Sequence, residues 1–163
     1  MRKLATAALA AVTLAAWTAG AAERELSWRA AVHAVEEHEL PVPGAENHVL
    51  GVAAFQGLAF FAGGEVASHR YTGTLDFTDG SGSITGYAIW VFEDGATLRA
   101  RYQGEATAAG EGITFKGSYS EVTGEGRFAG ATGTGSFEGR RLDPFADGGD
   151  TGLDGRLELA DGG

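Results

Sequence analysis

Apolar and polar residues alternate along the central part of the chain, as in strands that bury one face. The pattern holds over four consecutive segments, residues 70–78, 84–92, 97–105 and 113–120. Asp79-Gly80, Asp94-Gly95 and the Gly110-Glu111-Gly112 run separate these segments, and such residues are typical of hairpin turns. The pattern therefore predicts an up-and-down antiparallel sheet.

Weaker signals extend this sheet in both directions. Residues 58–67 indicate at least one more strand, with a turn or bulge at Gly63-Gly64, and residues 136–142 and 153–159 indicate two later strands. A twisted antiparallel sheet of seven or eight strands tends to close, because closure removes its exposed edges. We therefore expect an all-β protein, a single eight-stranded antiparallel up-and-down β-barrel.

The secondary structure of residues 22–47 is ambiguous in the sequence. Alternation over residues 26–35 favours a first strand, although the composition of residues 29–40 also suits a helix. Pro41, Pro43 and Gly44 then force a turn or loop. We interpret residues 22–47 as an N-terminal strand with a Pro-containing loop, and residues 48–163 as the barrel domain.

Residues 1–21 have the pattern of a secretory signal peptide rather than of a core helix. Arg2 and Lys3 precede an apolar run from Leu4 to Thr18, and Ala19-Gly20-Ala21 fits a cleavage site. The chain has no cysteine, so disulfides, thiolate ligands and thiol nucleophiles are excluded. The sequence predicts a periplasmic or secreted protein with no integral membrane span.

The composition is acidic, with 12 Lys and Arg against 22 Asp and Glu. A surface of this charge repels phosphate backbones, so we expect no nucleic-acid partner. Glycine is abundant, yet the chain also carries nine Phe, three Trp and four Tyr. Disordered chains are poor in aromatic residues, so the glycines indicate tight turns and bends in a folded β-structure.

The segment Val122–Gly139 combines glycines with Phe128 and Phe137. We expect a short turn at residues 127–129, with Phe128 closing one barrel end and Arg127 paired with a carboxylate. Gly130, Gly133 and Gly135 would let the chain reverse with positive φ where needed.

Residues 122–133, together with Gly86-Tyr87, residues 92–95 and residues 115–117, resemble the allene oxide cyclase and dirigent barrel superfamily. The resemblance covers roughly residues 57–141. It implies an eight-stranded barrel, often a homo-trimer, that binds a small hydrophobic or phenolic molecule and in some members has isomerase or cyclase activity. No pocket residue of that superfamily matches a position here one by one, so the activity is not carried over.

Charged residues on neighbouring strands form the first candidate site. Successive odd residues of a strand share a face, so Arg99, Arg101 and Glu105 are aligned. With Asp76 and Lys116, they would orient an anion or act as acid and base if they line the barrel. If they face water, they form an ordinary cross-strand charge ladder.

Aromatic residues form the second candidate site. They lie on strands with apolar partners and would either bind a ligand in the barrel or simply fill its core. The residues are Tyr71, Tyr87, Trp90, Tyr102 and Tyr119.

Two segments resemble metal sites only weakly, and we expect neither a metal nor a cofactor. His33, Glu36, Glu37 and His38 depart from H-x-x-E-H by one residue. Asp143, Asp147, Asp150 and Asp154 could hold Ca²⁺ in a glycine-rich loop, but they lack the register of an EF-hand, so a plain acidic loop is favoured.

Two functions fit these observations. A ligand-binding barrel, with or without isomerase activity, requires a cavity lined by Tyr and Trp. A non-catalytic structural or interaction barrel of the cell envelope requires a filled lumen and an exposed apolar patch.

Overall fold

The computed structural model describes residues 23–110 and 112–160. The predicted signal peptide lies outside these residues. The elements of the fold are eight strands and two short 3₁₀ helices: β1 (Glu23–Pro41), β2 (His48–Phe61), β3 (Val66–Thr78), β4 (Ser81–Phe92), β5 (Thr97–Ala109), β6 (Gly112–Glu125), a 3₁₀ turn (Gly126–Phe128), β7 (Thr132–Arg141), a second 3₁₀ turn (Phe145–Asp147) and β8 (Thr151–Ala160).

Each strand pairs antiparallel with the next, and β8 returns to pair with β1, so the sheet is a closed barrel. The predicted all-β, eight-stranded up-and-down barrel is confirmed. None of the helices in the described part of the chain is long and apolar enough to cross a membrane.

The ambiguous N-terminal segment is a strand and belongs to the barrel. β1 runs well past the predicted residues 26–35 and pairs with both β2 and β8. Of the two alternatives predicted for Gly63-Gly64, the turn is confirmed, and it divides residues 58–67 between the end of β2 and the start of β3. Tight turns that end a strand can look, in sequence, like a bulge within it.

The two ends of the barrel differ. The closed end carries the connections at residues 62–65, 93–96 and 126–131, and the open end carries those at residues 42–47, 79–80 and 142–150 and at Gly110. Phe128 is buried at the closed end, where its ring lies 5.1 Å from that of Phe92. The residue predicted to close one end of the barrel is therefore found there.

Arg127 covers this closed end from outside. Its guanidinium pairs with Glu65 at 2.6 Å and Asp94 at 3.2 Å, and it lies 4.8 Å from the Phe128 ring centroid. The predicted pairing of Arg127 with a carboxylate is confirmed. Of the glycines predicted to reverse the chain, Gly130 has a positive φ of 80°, whereas Gly133 and Gly135 lie in regular β7.

Inward-facing glycines make room for the aromatic rings of the lumen. Trp28 pairs across strands with Gly155, and Phe115 pairs with Gly139. A Cβ at either glycine would collide with the ring of its partner. Each large ring thus packs against the backbone of a glycine on the neighbouring strand, where no side chain is present. This lets aromatic side chains fill a narrow barrel.

The outer surface is polar on one side and apolar on the other. β5 to β8 present charged and hydroxyl side chains, while β2 and the adjoining end of β1 present large apolar ones. The large apolar residues exposed on these two strands are Val35, Leu40, Leu50, Val52, Leu58 and Phe60.

Candidate ligand site at the open end of the barrel

The lumen is divided into a packed half and a half with free space. Toward the closed end, Trp28, Trp90 and Phe61 are all buried. The Trp28 and Trp90 rings meet edge to face at 4.9 Å, and the Trp28 ring lies 5.6 Å from that of Phe61. These large rings fill the section, so a ligand has no room there.

A cavity of about 90 Å³ lies toward the open end. Its wall is aliphatic and aromatic, with few polar groups. The aromatic side chains that line it are Phe55, Tyr71, Phe77, Tyr102, Phe115, Tyr119, Phe137 and Phe145. Arg141 and Phe145 border the cavity and are also partly exposed, so it reaches solvent at this end.

Three tyrosines, Tyr71, Tyr102 and Tyr119, line the cavity. The Tyr71 and Tyr102 rings meet edge to face at 6.0 Å, and Phe137 lies 5.9 Å from Tyr102 and 5.0 Å from Tyr119. Burial raises the pKa of Tyr102, and burial together with the neighbouring Tyr102 raises that of Tyr119. Burial also raises the pKa of Tyr71. All three therefore remain neutral hydroxyls able to donate a hydrogen bond.

Arg141 lies beside these tyrosines at the end of β7. Its guanidinium carbon is 3.9 Å from the centroid of the Phe145 ring, and Phe145 in turn packs 5.8 Å from Phe55. Burial lowers the pKa of Arg141, while Glu39, Glu37 and Tyr71 oppose that shift. An arginine remains charged despite such a shift.

A bulge in β1 determines the direction of two carboxylates at the open end of the barrel. The register with β2 shifts between Ala34 and Glu36, leaving Val35 as the extra residue. Beyond it, Glu37 pairs with the inward-facing Ala53, and Glu39 pairs with Gly51. Such bulges re-aim side chains, and this one turns two glutamates toward Arg141. Burial and then the charge of Glu37 raise the pKa of Glu39, against the effect of Arg141.

His69 is a buried titratable side chain in the packed half. Its ring stacks on Trp90 at 4.9 Å, and its Nδ1 lies 3.3 Å from the carbonyl oxygen of Ile89. A carbonyl only accepts, so Nδ1 carries the proton and Nε2 is left as a buried acceptor with no partner among the described residues. Burial lowers the pKa of His69 to about 4, so the ring is neutral at pH 7.

The charged candidates from the sequence lie on the outer surface, not in the lumen. Arg99, Arg101 and Glu105 share a face of β5, as predicted, but that face is exposed to solvent. Arg99 lies 3.7 Å from Glu125, and Arg101 lies 3.3 Å from Glu121. Arg99 and Arg101 therefore belong to a cross-strand charge ladder that faces water, which was the second of the two predicted alternatives.

The two other charged candidates are also exposed. Asp76 pairs with the His48 ring at 2.7 Å on the outside of β2 and β3. Lys116 lies opposite Glu105 in the β5–β6 register. The proposed acid and base set is thus not assembled inside the barrel.

Three of the five aromatic candidates line the cavity. Tyr71, Tyr102 and Tyr119 do so. Trp90 faces inward but lies in the packed half, and Tyr87 points outward with 65% of its surface exposed. Both faces of β4 are apolar at this point, so the sequence left open which one faces the lumen.

The weak metal candidates do not converge on a metal site. Within residues 23–110 and 112–160, no group of three or more His, Asp or Glu side chains is placed to hold an ion. His38 contacts Glu36 at 3.4 Å on the exposed face of β1, and Asp154 pairs with Arg29 at 3.0 Å.

Sequence reasoning did not identify Arg141, Phe145 or Phe55 as site residues. The run Arg140-Arg141 lies near the end of a strand, where alternation requires one of the two to face inward. Arg141 shares a face of β7 with Phe137, four residues earlier, so that rule could have raised it as a candidate.

No protein-family model matches this chain, and a search of curated proteins finds no match.

Proposed function

We propose that this protein is an exported barrel, periplasmic or secreted, that binds one small apolar molecule at the open end of its lumen. The aromatic cavity beside Arg141 carries the proposal. Small-molecule sites are typically concave, mostly apolar and provided with a few polar groups that orient the ligand. Three neutral tyrosine hydroxyls and one guanidinium fit that description.

Binding is better supported than catalysis. An isomerase or cyclase of the allene oxide cyclase type would need a group that takes up or donates protons at the ligand. Among the described residues that line the cavity, none is Asp, Glu or His. The raised pKa values of the tyrosines make them weak acids.

Native mass spectrometry of protein purified from its own host tests the proposal. We expect a co-purified molecule of low mass that is released on unfolding. Ala106→Phe fills the cavity from β5 and should abolish this binding, whereas Thr107→Phe on the exposed outer face of the same strand should preserve it. Equal retention by both variants would contradict the proposed site.

A second candidate function is that of an interaction barrel of the cell envelope, and the outer surface of β2 favours it. Its exposed apolar side chains form two pairs along the strand, Leu50 with Val52 and Leu58 with Phe60, and Leu50 also pairs with Leu40 of β1. Contiguous apolar surface of this kind marks protein contacts more often than scattered single residues do. We propose a homo-trimer through this face, to be measured by analytical ultracentrifugation.

A further inference from the structure

Arg141 is the only charged side chain among the described residues lining the cavity. It lies on the inner face of β7, while its neighbour Arg140 is exposed on the outer face. The strand therefore presents one arginine to the lumen and one to solvent. A partly buried cation beside an apolar wall is unfavourable unless something pairs with it.

The surroundings of Arg141 leave hydrogen-bonding capacity unused. Phe145 covers one face of the guanidinium, at 3.9 Å, so the N–H groups in its plane remain available. The Nε atom is buried and has no hydrogen-bond partner among the described residues. An acceptor placed in that plane would satisfy it.

The nearest carboxylates do not fill this role. Glu37 and Glu39 face Arg141 from the inner side of β1, but neither forms a salt bridge with it within 4.0 Å. Glu39 is exposed at the rim of the barrel, while Arg141 borders the cavity below it. The two glutamates therefore repel an approaching anion, but they do not themselves pair with Arg141.

We infer that Arg141 anchors a carboxylate of the ligand, and that the ligand is a small monocarboxylate whose apolar part is one ring or a short chain. A guanidinium binds a carboxylate through two parallel hydrogen bonds. A group of higher charge, such as a phosphate dianion, would meet stronger repulsion from Glu37 and Glu39. This inference rests on the proposed function.

The volume of the cavity limits the size of the ligand's apolar part. An engineered cavity of about 150 Å³ is known to hold benzene. The cavity here is smaller, at about 90 Å³, but it opens at Arg141 and Phe145. One ring fits with its carboxylate at the rim, whereas a long acyl chain would meet the packed rings around Trp90.

Benzoate and benzamide are a matched pair of probes for this inference. They have nearly the same shape, but only benzoate is an anion at pH 7. We expect isothermal titration calorimetry to show benzoate binding about ten- to hundredfold more tightly, the range typical of a charge-assisted hydrogen bond. Arg141→Met, which keeps an apolar contact with Phe145, should remove this preference.

Two further variants test the assignment. Arg140→Met removes the exposed arginine of the same strand and should leave the preference unchanged. Glu39→Gln removes a repelling carboxylate and should tighten benzoate binding severalfold, with little effect on benzamide.

The outcomes separate the two proposals. Equal affinity for both probes would overturn the carboxylate inference and leave the binding function standing. Binding of neither probe, in protein freed of co-purified molecules by unfolding and refolding, would overturn the inference and count against the binding function as well. A preference for benzoate that survives Arg141→Met would overturn the role of Arg141.

Discussion

Phe128 holds the closed end of the barrel together through its contacts with Phe92 and Arg127. Phe128→Ala leaves a cavity beneath these groups and should lower the free energy of unfolding by about 3–5 kcal/mol, as for other buried Phe truncations. Urea unfolding measures this change. Tyr87→Ala, at an aromatic residue exposed on the outer surface of β4, should lower it by less than about 1 kcal/mol. Equal effects would show that Phe128 does not close the barrel.

His69 makes the stability of the fold depend on pH. Its pKa is about 4 in the folded state and about 6.5 when unfolded, so between these values the unfolded chain binds more protons. Stability from the neutral ring is fully present above pH 6.5 and is lost progressively as the pH falls to about 4. The loss should approach 3 kcal/mol, as an order of magnitude, at about 1.4 kcal/mol per pKa unit.

Thermal melts of the wild type and of His69→Phe between pH 7.5 and 4 measure this effect. The wild type should lose more stability than the variant over that range. His33→Gln, at an exposed histidine of β1, should behave as the wild type. Parallel curves for the wild type and His69→Phe would show that burial of the neutral ring is not the cause.

Single positions of the site could be predicted from the sequence only where the two faces of a strand differ in polarity. Tyr71 and Tyr102 alternate with polar neighbours, so their inward direction was predictable. Tyr87 lies on a strand that is apolar on both faces, and its exposure follows from the barrel register instead.

At the scale of the element, glycines opposite aromatic residues explain much of the glycine content. Gly155→Ala places a methyl group against the Trp28 ring and should destabilise the protein by about 1–3 kcal/mol through overpacking. Gly152→Ala, on the same strand, meets nothing within 4 Å and should be nearly neutral. Chemical denaturation of both variants provides the comparison. Equal stabilities would mean that Trp28 moves aside freely.

β1 shows why strand boundaries and bulges escaped sequence analysis. Its residues 36–39 are all charged or polar, so alternation disappears where the strand extends beyond its pairing with β8. The bulge at Val35 changes which face each later residue occupies, and no residue type there specifies it. The direction of Glu37 and Glu39 toward Arg141 therefore depended on pairing with β2, which is a long-range property.

At the scale of the whole molecule, strand number and hairpin turns were sufficient to predict closure of the sheet. They could not predict that one half of the lumen is filled, because that depends on how Trp28, Trp90 and Phe61 pack together. They also could not show the asymmetry of the outer surface, which appears only when β2 is placed beside β1 and β3.

That asymmetry leads to a prediction about assembly. The double variant Val52→Lys and Leu58→Lys places charge on the apolar face and should raise the dissociation constant of the oligomer at least about tenfold. Sedimentation velocity across a range of concentrations measures it. The control double variant Ser118→Lys and Thr134→Lys, on the polar side of the barrel, should have little effect on this dissociation constant. A wild type that is monomeric at high concentration would contradict the trimer.

The pairing of β1 with β8 joins residues that are far apart in sequence, such as Trp28 and Gly155. Closing so long a loop is entropically unfavourable, and chains with such high contact order fold slowly. The same pairing places Glu23 beside Ala160, so a short linker can join them in a circular permutant opened at Gly63-Gly64. We expect this rearranged chain to unfold cooperatively and to keep the circular dichroism spectrum of the parent. The permutation changes the order of the strands along the chain but not which strands pair in the closed sheet.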